Sequence, residues 1–323
     1  LGIEAVGMIL LFFRGLADMP PARAAYMAFF HSISAFNNAG FDLTGSSLAM
    51  YSGDPMVNLV VAGLVLAGSL GFLVLGDMGR WLASLPGDLD PAQRPDIRMV
   101  SIQTRLVLLV TGLVMALTWL AVTALEWSNP ATLGALSLRS KVLAPVFHAV
   151  AGRTAGFFTV DPAAMRSGSL LVTMLAMFIG GAPASTAGGI KTTTLGVLLA
   201  TAAAIFAGRE DVNLLQRRIA REVVMRALAV VLLLSGLVLA TSFLLMVSED
   251  ARFLEALFEA VSAASTTGLT LGLTPQLSAL GKLAVAVTMF VGRLGPVTLI
   301  YALARRQQRK IGVRYSEAKI MVG

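Results

Sequence analysis

Long uncharged stretches alternate along this chain with shorter apolar runs. Val57 to Leu75 contains no charged residue, and Leu106 to Leu125 and Ala227 to Val247 have the same character. A helix needs about 20 such residues to cross the hydrocarbon core of a bilayer. These stretches therefore predict membrane-spanning helices. Further apolar candidates are Leu1 to Phe13, Leu170 to Ile179 continued by Leu195 to Phe206, and Leu283 to Leu303.

Three other apolar runs are too short to span a membrane, and each leads into an uncharged turn centred on glycine. The runs are Tyr26 to Phe36, Val142 to Ala151 and Phe253 to Ala264, and the turns read NAGF, TAGF and TTGL. Backbone that leaves the helix at membrane depth is tolerated only where protein encloses it or where it lines a wet cavity. The repetition predicts an all-α membrane protein, with repeats of helix, re-entrant pore loop and helix around a central pore.

The repeats divide the chain into three units. Residues 1–100 form the first unit, whose first helix is truncated, and residues 101–208 form the second. Residues 209–323 form the third unit and include a C-terminal tail. Because Leu1 lies inside an apolar run, with no Met or cleavage signal before it, we expect the sequence to begin within a longer protein.

Composition supports a lipid environment and narrows the chemistry. Hydrophobic residues make up 56% of the chain and charged residues 13%, and the mean hydropathy is +0.80. Soluble domains carry about 25% charged residues. The absence of cysteine excludes thiolate metal sites, and two histidines leave little room for a histidine-based metal centre. No paired carboxylates or Ser–His arrangement lie within the apolar runs, so an enzyme is not predicted.

The basic residues cluster in three polar segments. Residues 76–105, 206–226 and 304–323 together hold fifteen of the 25 Lys and Arg residues. Basic loops of membrane proteins face the cytoplasm. The distribution therefore predicts a multi-pass protein of the cell membrane with these segments and the C-terminus inside. It also accounts for the net charge of +7 without a nucleic-acid partner.

The three turns carry no acidic side chain, so a ring of carboxylates is excluded within them. Backbone carbonyl oxygens remain, and glycine allows the positive φ or close approach that would turn them toward a cation. The negative ends of the half-helix dipoles would face the same cation. The predicted ion-binding residues are Asn38, Ala39, Gly40, Phe41, Thr154, Ala155, Gly156, Phe157, Thr266, Thr267, Gly268 and Leu269. The alternative is that these glycines serve close helix packing.

A helix-breaking segment interrupts the apolar stretch between Leu170 and Phe206. It consists of Gly180, Gly181, Ala182, Pro183, Ala184, Ser185, Thr186, Ala187, Gly188, Gly189, Ile190 and Lys191. Glycine costs about 1 kcal/mol and proline about 3 kcal/mol relative to alanine inside a helix. Just below an ion-binding turn, such a loop would cross the conduction path as a barrier. A simple helix kink and a phosphate-binding loop are alternatives, although Ile190 separates Gly189 from Lys191 and no strand precedes the segment.

Ionisable residues inside the apolar runs are expected to face polar surroundings. Arg293 lies within the last stretch, where a central Arg costs about 2.5–3.5 kcal/mol on insertion scales. A role in the barrier is one interpretation, and a structural salt bridge is the other. His31, His148 and Glu259 follow the leading Phe of the three half-helices. For the histidines, a proton relay competes with simple hydrogen bonding to backbone or water.

Several of these segments resemble the motifs of one transporter superfamily. FNNAGF, GRTAGF and FIGGAPASTAGGIKTTT are similar to motifs of the Trk/Ktr/HKT superfamily of potassium transporters, and the match covers nearly the whole chain. GRLGPVT and the closing YSEAKIMVG most resemble the Ktr-type membrane subunit. Members of that family have four helix, pore-loop, helix repeats. The resemblance implies that this sequence corresponds to repeats two, three and four, and that the first repeat is absent from it.

The resemblance also implies a function. It suggests potassium uptake, with or without Na+, through a carbonyl filter gated by the Gly180 to Lys191 loop, with Arg293 below the filter and touching that loop. No covalent cofactor is implied. Ktr-type subunits form homodimers on a cytoplasmic regulatory ring of the KtrA or TrkA type, so ATP, ADP or NAD would bind only to that partner. An ion-coupled secondary transporter with broken helices is the alternative function.

Overall fold

The computed structural model describes residues 1–84, 100–209 and 211–295, and these residues are mostly helical. The helices are α1 (Gly2–Gly15), α2 (Pro21–Phe36), α3 (Pro55–Ala83), α4 (Ile102–Glu126), α5 (Leu138–Thr154), α6 (Ser167–Phe178), α7 (Thr192–Phe206), α8 (Arg221–Glu249), α9 (Phe253–Ala264) and α10 (Ala279–Leu294). A short antiparallel hairpin of β1 (Asn213–Leu214) and β2 (Arg217–Arg218) joins α7 to α8.

Within the described residues, the helices α3, α4 and α8 are long and apolar enough to cross a membrane, and α6 and α7 are shorter apolar helices. Large hydrophobic side chains on α8 are exposed, among them Leu232, Leu239, Phe243 and Val247. An outward apolar surface of this kind suits contact with lipid. The prediction of an all-α membrane protein is therefore confirmed.

Two of the half-helices, α2 and α5, begin earlier than their apolar runs, whereas α9 begins at Phe253 as predicted. Pro21 starts α2, because its missing N–H and fixed φ suit the first helical position. Ser137 starts α5, and its side chain accepts a hydrogen bond from the Ser140 N–H. At the other end, α2 and α9 stop at the predicted residues, whereas α5 continues through Thr154.

Two predicted spanning helices are interrupted at matching places. Within α3, Gly71 has φ 77° and ψ 161°, which breaks the helix inside the predicted run from Val57 to Leu75. α10 ends at Leu294, and Gly295 has φ 81°, so the predicted helix from Leu283 to Leu303 stops early. Its residues 296–303 lie outside the described part of the chain. Both breaks occur because glycine adopts a positive φ that other residues resist.

Two buried clusters join the predicted units to one another. Ala35, Val61, Val65, Phe147 and Phe157 bring α2 and α3 against α5 and its turn. A second cluster includes Met174, Met177, Leu234, Phe258 and Val261 and brings α6 against α8 and α9. The first cluster brings α2 and α5 together, and the second joins α6 of the second unit to α8 and α9 of the third. The division of the chain into three repeats stays a prediction.

Candidate functional site

The three glycine turns follow the C-terminal ends of α2, α5 and α9. Gly40, Gly156 and Gly268 have φ values of 72°, 76° and 91°, a region that glycine enters at little cost. The sequence prediction that these positions need positive φ is therefore met by the backbone geometry. Asn38 and Thr266, two residues before their glycines, also have positive φ values of 50° and 53°. The conformation is strained for Thr266 because its side chain branches at Cβ.

Hydrogen bonds connect the turns across long sequence distances. The Asn38 side chain donates from Nδ2 to the Thr154 hydroxyl at 2.7 Å, which links the first turn to the second. The Thr267 hydroxyl donates to the Arg153 carbonyl oxygen at 3.1 Å, which links the third turn to the second. The second turn therefore lies between the other two.

The glycines also show how closely the turns approach. A Cβ added at Gly40 would overlap the carbonyl oxygen of Ala155, and one added at Gly156 would overlap the carbonyl oxygen of Thr267. In each case the glycine touches the residue just before the glycine of the next turn. At Gly268 a Cβ would meet no heavy atom within 4 Å. The three turns thus form consecutive parts of a ring with one open side.

Side-chain exposure marks the same open side. Phe157, after the middle turn, is fully buried, and Leu269 is 2% exposed, whereas Phe41 is 69% exposed. Ala39 and Gly268 are exposed as well, while Ala155 and Gly156 are buried. The exposed residues belong to the first and third turns, which border the open side.

The predicted loop from Gly180 to Lys191 connects α6 to α7. Its two ends are held together by a parallel bridge between Ile179 and Ile190 and by the Thr192 N–H, which donates to Gly181 O at 3.0 Å. Lys191 extends back along the loop, and its Nζ donates to Ala187 O at 2.7 Å. The predicted interruption of the helix is therefore confirmed, and residues 180–191 form a compact loop between α6 and α7.

This loop contacts the turns on both sides of the ring. The Thr186 hydroxyl lies 3.2 Å from Asn38 Oδ1 and 3.3 Å from Phe36 O. On the other side, a Cβ at Gly188 would overlap Ser265 O and the Thr266 hydroxyl. Phe36 and Ser265 stand at the C-terminal ends of α2 and α9, so the loop lies between those ends, directly beside the turns.

Arg293 also contacts the loop. Its Nη1 donates a hydrogen bond to the Thr186 carbonyl oxygen, across 107 residues of sequence. Salt-bridge geometry is not found for Arg293 among the described residues. Among the described residues, therefore, no acidic side chain forms the structural salt bridge that was the alternative role of Arg293. The gating role of Arg293 stays a prediction.

The residues at the break in α3 form hydrogen bonds with the loop. The sequence analysis did not predict this break. The carbonyl oxygens of Ser69 and Gly68 accept hydrogen bonds from Ala182 N at 2.9 Å and Thr186 N at 3.3 Å. A Cβ at Gly71 would lie 2.7 Å from Ala184 O. The signal was present as GSLG at residues 68–71, which matches GRLG at residues 292–295.

A Gly71→Ala variant is expected to lower the melting temperature of the full-length protein in detergent. Alanine at φ 77° carries strain of about 1–3 kcal/mol, and its methyl group would press on Ala184 O. Gly76→Ala is the matched control, because Gly76 lies in the same helix with no atom within 4 Å of an added Cβ. Gly76→Ala should melt at or slightly above the wild-type temperature. Equal melting temperatures of the two variants would contradict the positive φ of Gly71 and its close contact with Ala184 O.

Ionisable residues behind the turns are engaged by local partners. His31 Nδ1 lies 2.9 Å from Met27 O, and His148 Nε2 lies 2.9 Å from the Thr173 hydroxyl. Both carboxylate oxygens of Glu259 accept hydrogen bonds from threonine hydroxyls. One ring nitrogen of each histidine and both oxygens of Glu259 therefore have hydrogen-bond partners within the protein.

Asp42 follows the first turn and keeps a negative charge there. Burial by itself would raise the pKa of Asp42, but hydrogen bonds from the Thr44 hydroxyl and from the Thr44 and Gly45 N–H groups outweigh burial and lower that pKa. A carboxylate fixed near the turns raises the local concentration of cations.

Comparisons with known proteins identify the family of this chain. The family model described as TrkH, cation transport protein, matches residues 3–311. The chain belongs to the TrkH family of cation transport proteins. It is 38% identical to Ktr system potassium uptake protein B of Bacillus subtilis, over all of this chain and 69% of that protein. It is 37% identical to the protein of the same description from Vibrio alginolyticus, over 99% of this chain and 68% of that protein.

One further relative and one solved structure are also similar to this chain. Potassium/sodium uptake protein NtpJ of Enterococcus hirae is 32% identical over 99% of this chain and 69% of its own length. The crystal structure of the potassium transporter TrkH from Vibrio parahaemolyticus superposes with a TM-score of 0.72 at 19% identity, over 95% of this chain and 63% of that one. The TrkH fold is therefore shared, and the chain spans about two thirds of the length of these relatives.

Proposed function

We propose that this protein is a membrane subunit for potassium uptake that conducts K+ through the backbone carbonyls of its glycine turns. The proposal rests mainly on the close approach of the turns: Gly40 lies against the Ala155 carbonyl oxygen, and Gly156 lies against the Thr267 carbonyl oxygen. Carbonyl oxygens replace the hydration shell of a monovalent cation and release it again. The chain contributes no acidic side chain to the turns, so the main chain is the proposed ligand. Family relatives named for potassium uptake support the choice of ion.

A fourth turn would complete the ring. Residues 1–100, 101–208 and 209–323 supply three repeats in this proposal, and the open side beside Gly268 would receive the fourth from outside these 323 residues. The negative ends of the α2, α5 and α9 dipoles would then face the bound ion. The proposal includes no covalent cofactor and no covalent chemistry.

The loop from Gly180 to Lys191 is the proposed gate, with Arg293 as its latch. Thr186 contacts Asn38 and Arg293, and Gly188 lies against Ser265; these contacts support the role because they hold the loop beside the turns. Opening requires the loop to give up only a few hydrogen bonds. Each is worth about 0.5–1.5 kcal/mol net, which suits a segment with two alternative positions.

The proposed setting is the cell membrane, with the basic segments and the C-terminus in the cytoplasm. A homodimer on a cytoplasmic ring of nucleotide-binding subunits follows from the resemblance to Ktr systems, and ATP, ADP or NAD would bind to that ring. The exposed β1–β2 hairpin, with Arg217 and Arg218, is the proposed contact with the ring.

A charge reversal of Arg217 and Arg218 to glutamate is expected to weaken activation of the transporter by its regulatory ring. Two exposed cations would become anions at the proposed contact, which opposes docking on an acidic partner. Activation is measured as nucleotide-dependent flux in liposomes. Reversal of Arg221 and Arg226 changes the charge equally at the start of α8 and is the control. Equal activation in both variants would place the contact elsewhere.

Flux of 86Rb+ into liposomes that contain the full-length protein tests the function. We expect K+ to compete with 86Rb+. We also expect the 86Rb+ flux to persist when the Na+ gradient is removed, and a change in the flux rate with Na+ on one side of the membrane is compatible with the proposal. If Na+ and 86Rb+ instead cross the membrane in a fixed ratio, the result would support the alternative function, an ion-coupled secondary transporter. Protein-dependent flux that K+ does not inhibit would contradict potassium uptake.

A further inference from the structure

A polar cavity of about 560 Å³ lies between the start of α4 and the tip of the β1–β2 hairpin. Ser101, Arg105, Gln216 and Arg217 supply its polar lining. Its volume falls within the range of about 300–1,000 Å³ that is typical of small-molecule sites. The proposed filter and gate use none of these residues.

The two arginines in this cavity lack anionic partners among the described residues. Arg105 Nε is buried without a hydrogen-bond partner, and neither Arg105 nor Arg217 forms an ion pair there. The nearby acids are engaged, since Asp77 accepts hydrogen bonds from Ser101, Thr104 and Arg80. A partly buried guanidinium group without an anionic partner is costly, so an anion in the cavity would stabilise its positive charge.

The hairpin that forms one wall is held firmly despite local strain. Leu215 and Gln216 have φ values of 47° and 66°, which residues other than glycine seldom adopt. Leu214 and Leu215 pack against the buried cluster that contains Leu106 and Val110 of α4. This apolar contact offsets the strain and fixes Gln216 and Arg217 across from the start of α4.

The cavity lies beside the apolar surface of α4. Arg105 is in the first turn of that helix, and Leu109 and Leu113, one and two turns further along, are 58% and 43% exposed. Exposed leucines of a spanning helix face lipid, so Arg105 stands at the depth of the headgroups. The N-terminal end of the α4 dipole adds to the positive potential there.

We propose that this cavity binds a phosphate group, with Arg105 and Arg217 as its charged donors. Guanidinium groups form paired hydrogen bonds to phosphate oxygens. The phosphate belongs either to the headgroup of an anionic phospholipid or to a soluble phosphate compound, and the two sources share this chemistry. The proposal depends on membrane placement and not on ion conduction.

Melting of the delipidated full-length protein in detergent tests the proposal, with no regulatory subunit present. The probes are phosphatidylglycerol, phosphatidylcholine and inorganic phosphate, each titrated at constant ionic strength. We expect phosphatidylglycerol to raise the melting temperature more than phosphatidylcholine. In the Arg105→Gln/Arg217→Gln variant its apparent affinity should fall about tenfold or more, as expected from losing charge-assisted hydrogen bonds.

Arg218→Gln is the matched control, because Arg218 is in the same hairpin, pairs with Asp211 and does not line the cavity. It should respond like the wild type. A response to inorganic phosphate that requires Arg105 and Arg217, without one to phosphatidylglycerol, supports the site and assigns it to a soluble compound. Arg217→Gln alone, at an exposed position, replaces the double variant if that variant does not fold. Equal responses of wild type and variant to every probe would overturn the proposal.

Discussion

A Gly156→Ala variant is expected to reduce potassium uptake severely. Gly156 has φ 76°, and an added Cβ would overlap the Thr267 carbonyl oxygen of the neighbouring turn. Strain of about 1–3 kcal/mol would combine with displacement of a proposed ion ligand. Uptake of 86Rb+ by a potassium-deficient host should fall by roughly tenfold or more, since about 1.4 kcal/mol corresponds to a factor of ten. Growth on low potassium reports the same loss.

Gly45→Ala separates backbone strain from damage to the turns. Gly45 has φ 78°, close to that of Gly156, but an added Cβ would meet no atom within 4 Å. This variant should keep most uptake. Gly268→Ala is expected to reduce uptake sharply, but less than Gly156→Ala, because it is strained without overlap in the described structure. Normal growth of the Gly156→Ala and Gly268→Ala strains, with both proteins present in the membrane, would refute the filter assignment.

Deletion of residues 184–187 is expected to raise leak flux several-fold in the absence of the regulatory ring. The deletion removes Thr186, which contacts Asn38 and Phe36 and accepts the hydrogen bond from Arg293. A shorter loop would no longer reach both sides of the ring. The measurement is 86Rb+ efflux from liposomes at fixed protein content.

Two single substitutions, one in the loop and one in α7, test whether the effect of the deletion is specific to the loop contacts. Thr186→Val removes the hydroxyl that lies near Phe36 O and Asn38 Oδ1, and it should raise leak flux less than the deletion. Thr201→Val removes a hydroxyl that donates to Val197 O within α7, away from the loop, and it should leave flux unchanged. Unchanged flux in both the deletion and Thr186→Val would remove the loop from the gating mechanism.

The predicted features that depend on local sequence agree best with the structure. Phe36 and Ala264 end their half-helices where the apolar runs stop, because the glycine turn follows directly. α5 continues to Thr154 because Gly152 and Arg153 remain helical in a tightly packed interior. Local propensity disfavours glycine there, and tertiary packing overrides it.

The features that needed three-dimensional contacts were harder to foresee. The break at Gly71 depends on the loop at Ala184, more than 100 positions away, although the repeated GSLG and GRLG segments carried a signal. The order of the turns rests on contacts such as Asn38 with Thr154, which no sequence period reveals. The positive φ of Thr266 opposes its intrinsic preference, so composition argues against it.

Cation density in the full-length protein tests the proposed conduction pathway most directly. Rb+ scatters anomalously at its absorption edge and substitutes for K+ in carbonyl sites. We expect an anomalous peak enclosed by the turns at Gly40, Gly156 and Gly268, and its loss when Li+ replaces Rb+. Ordered Rb+ elsewhere in the protein, with no peak between these glycines, would contradict conduction through the turns.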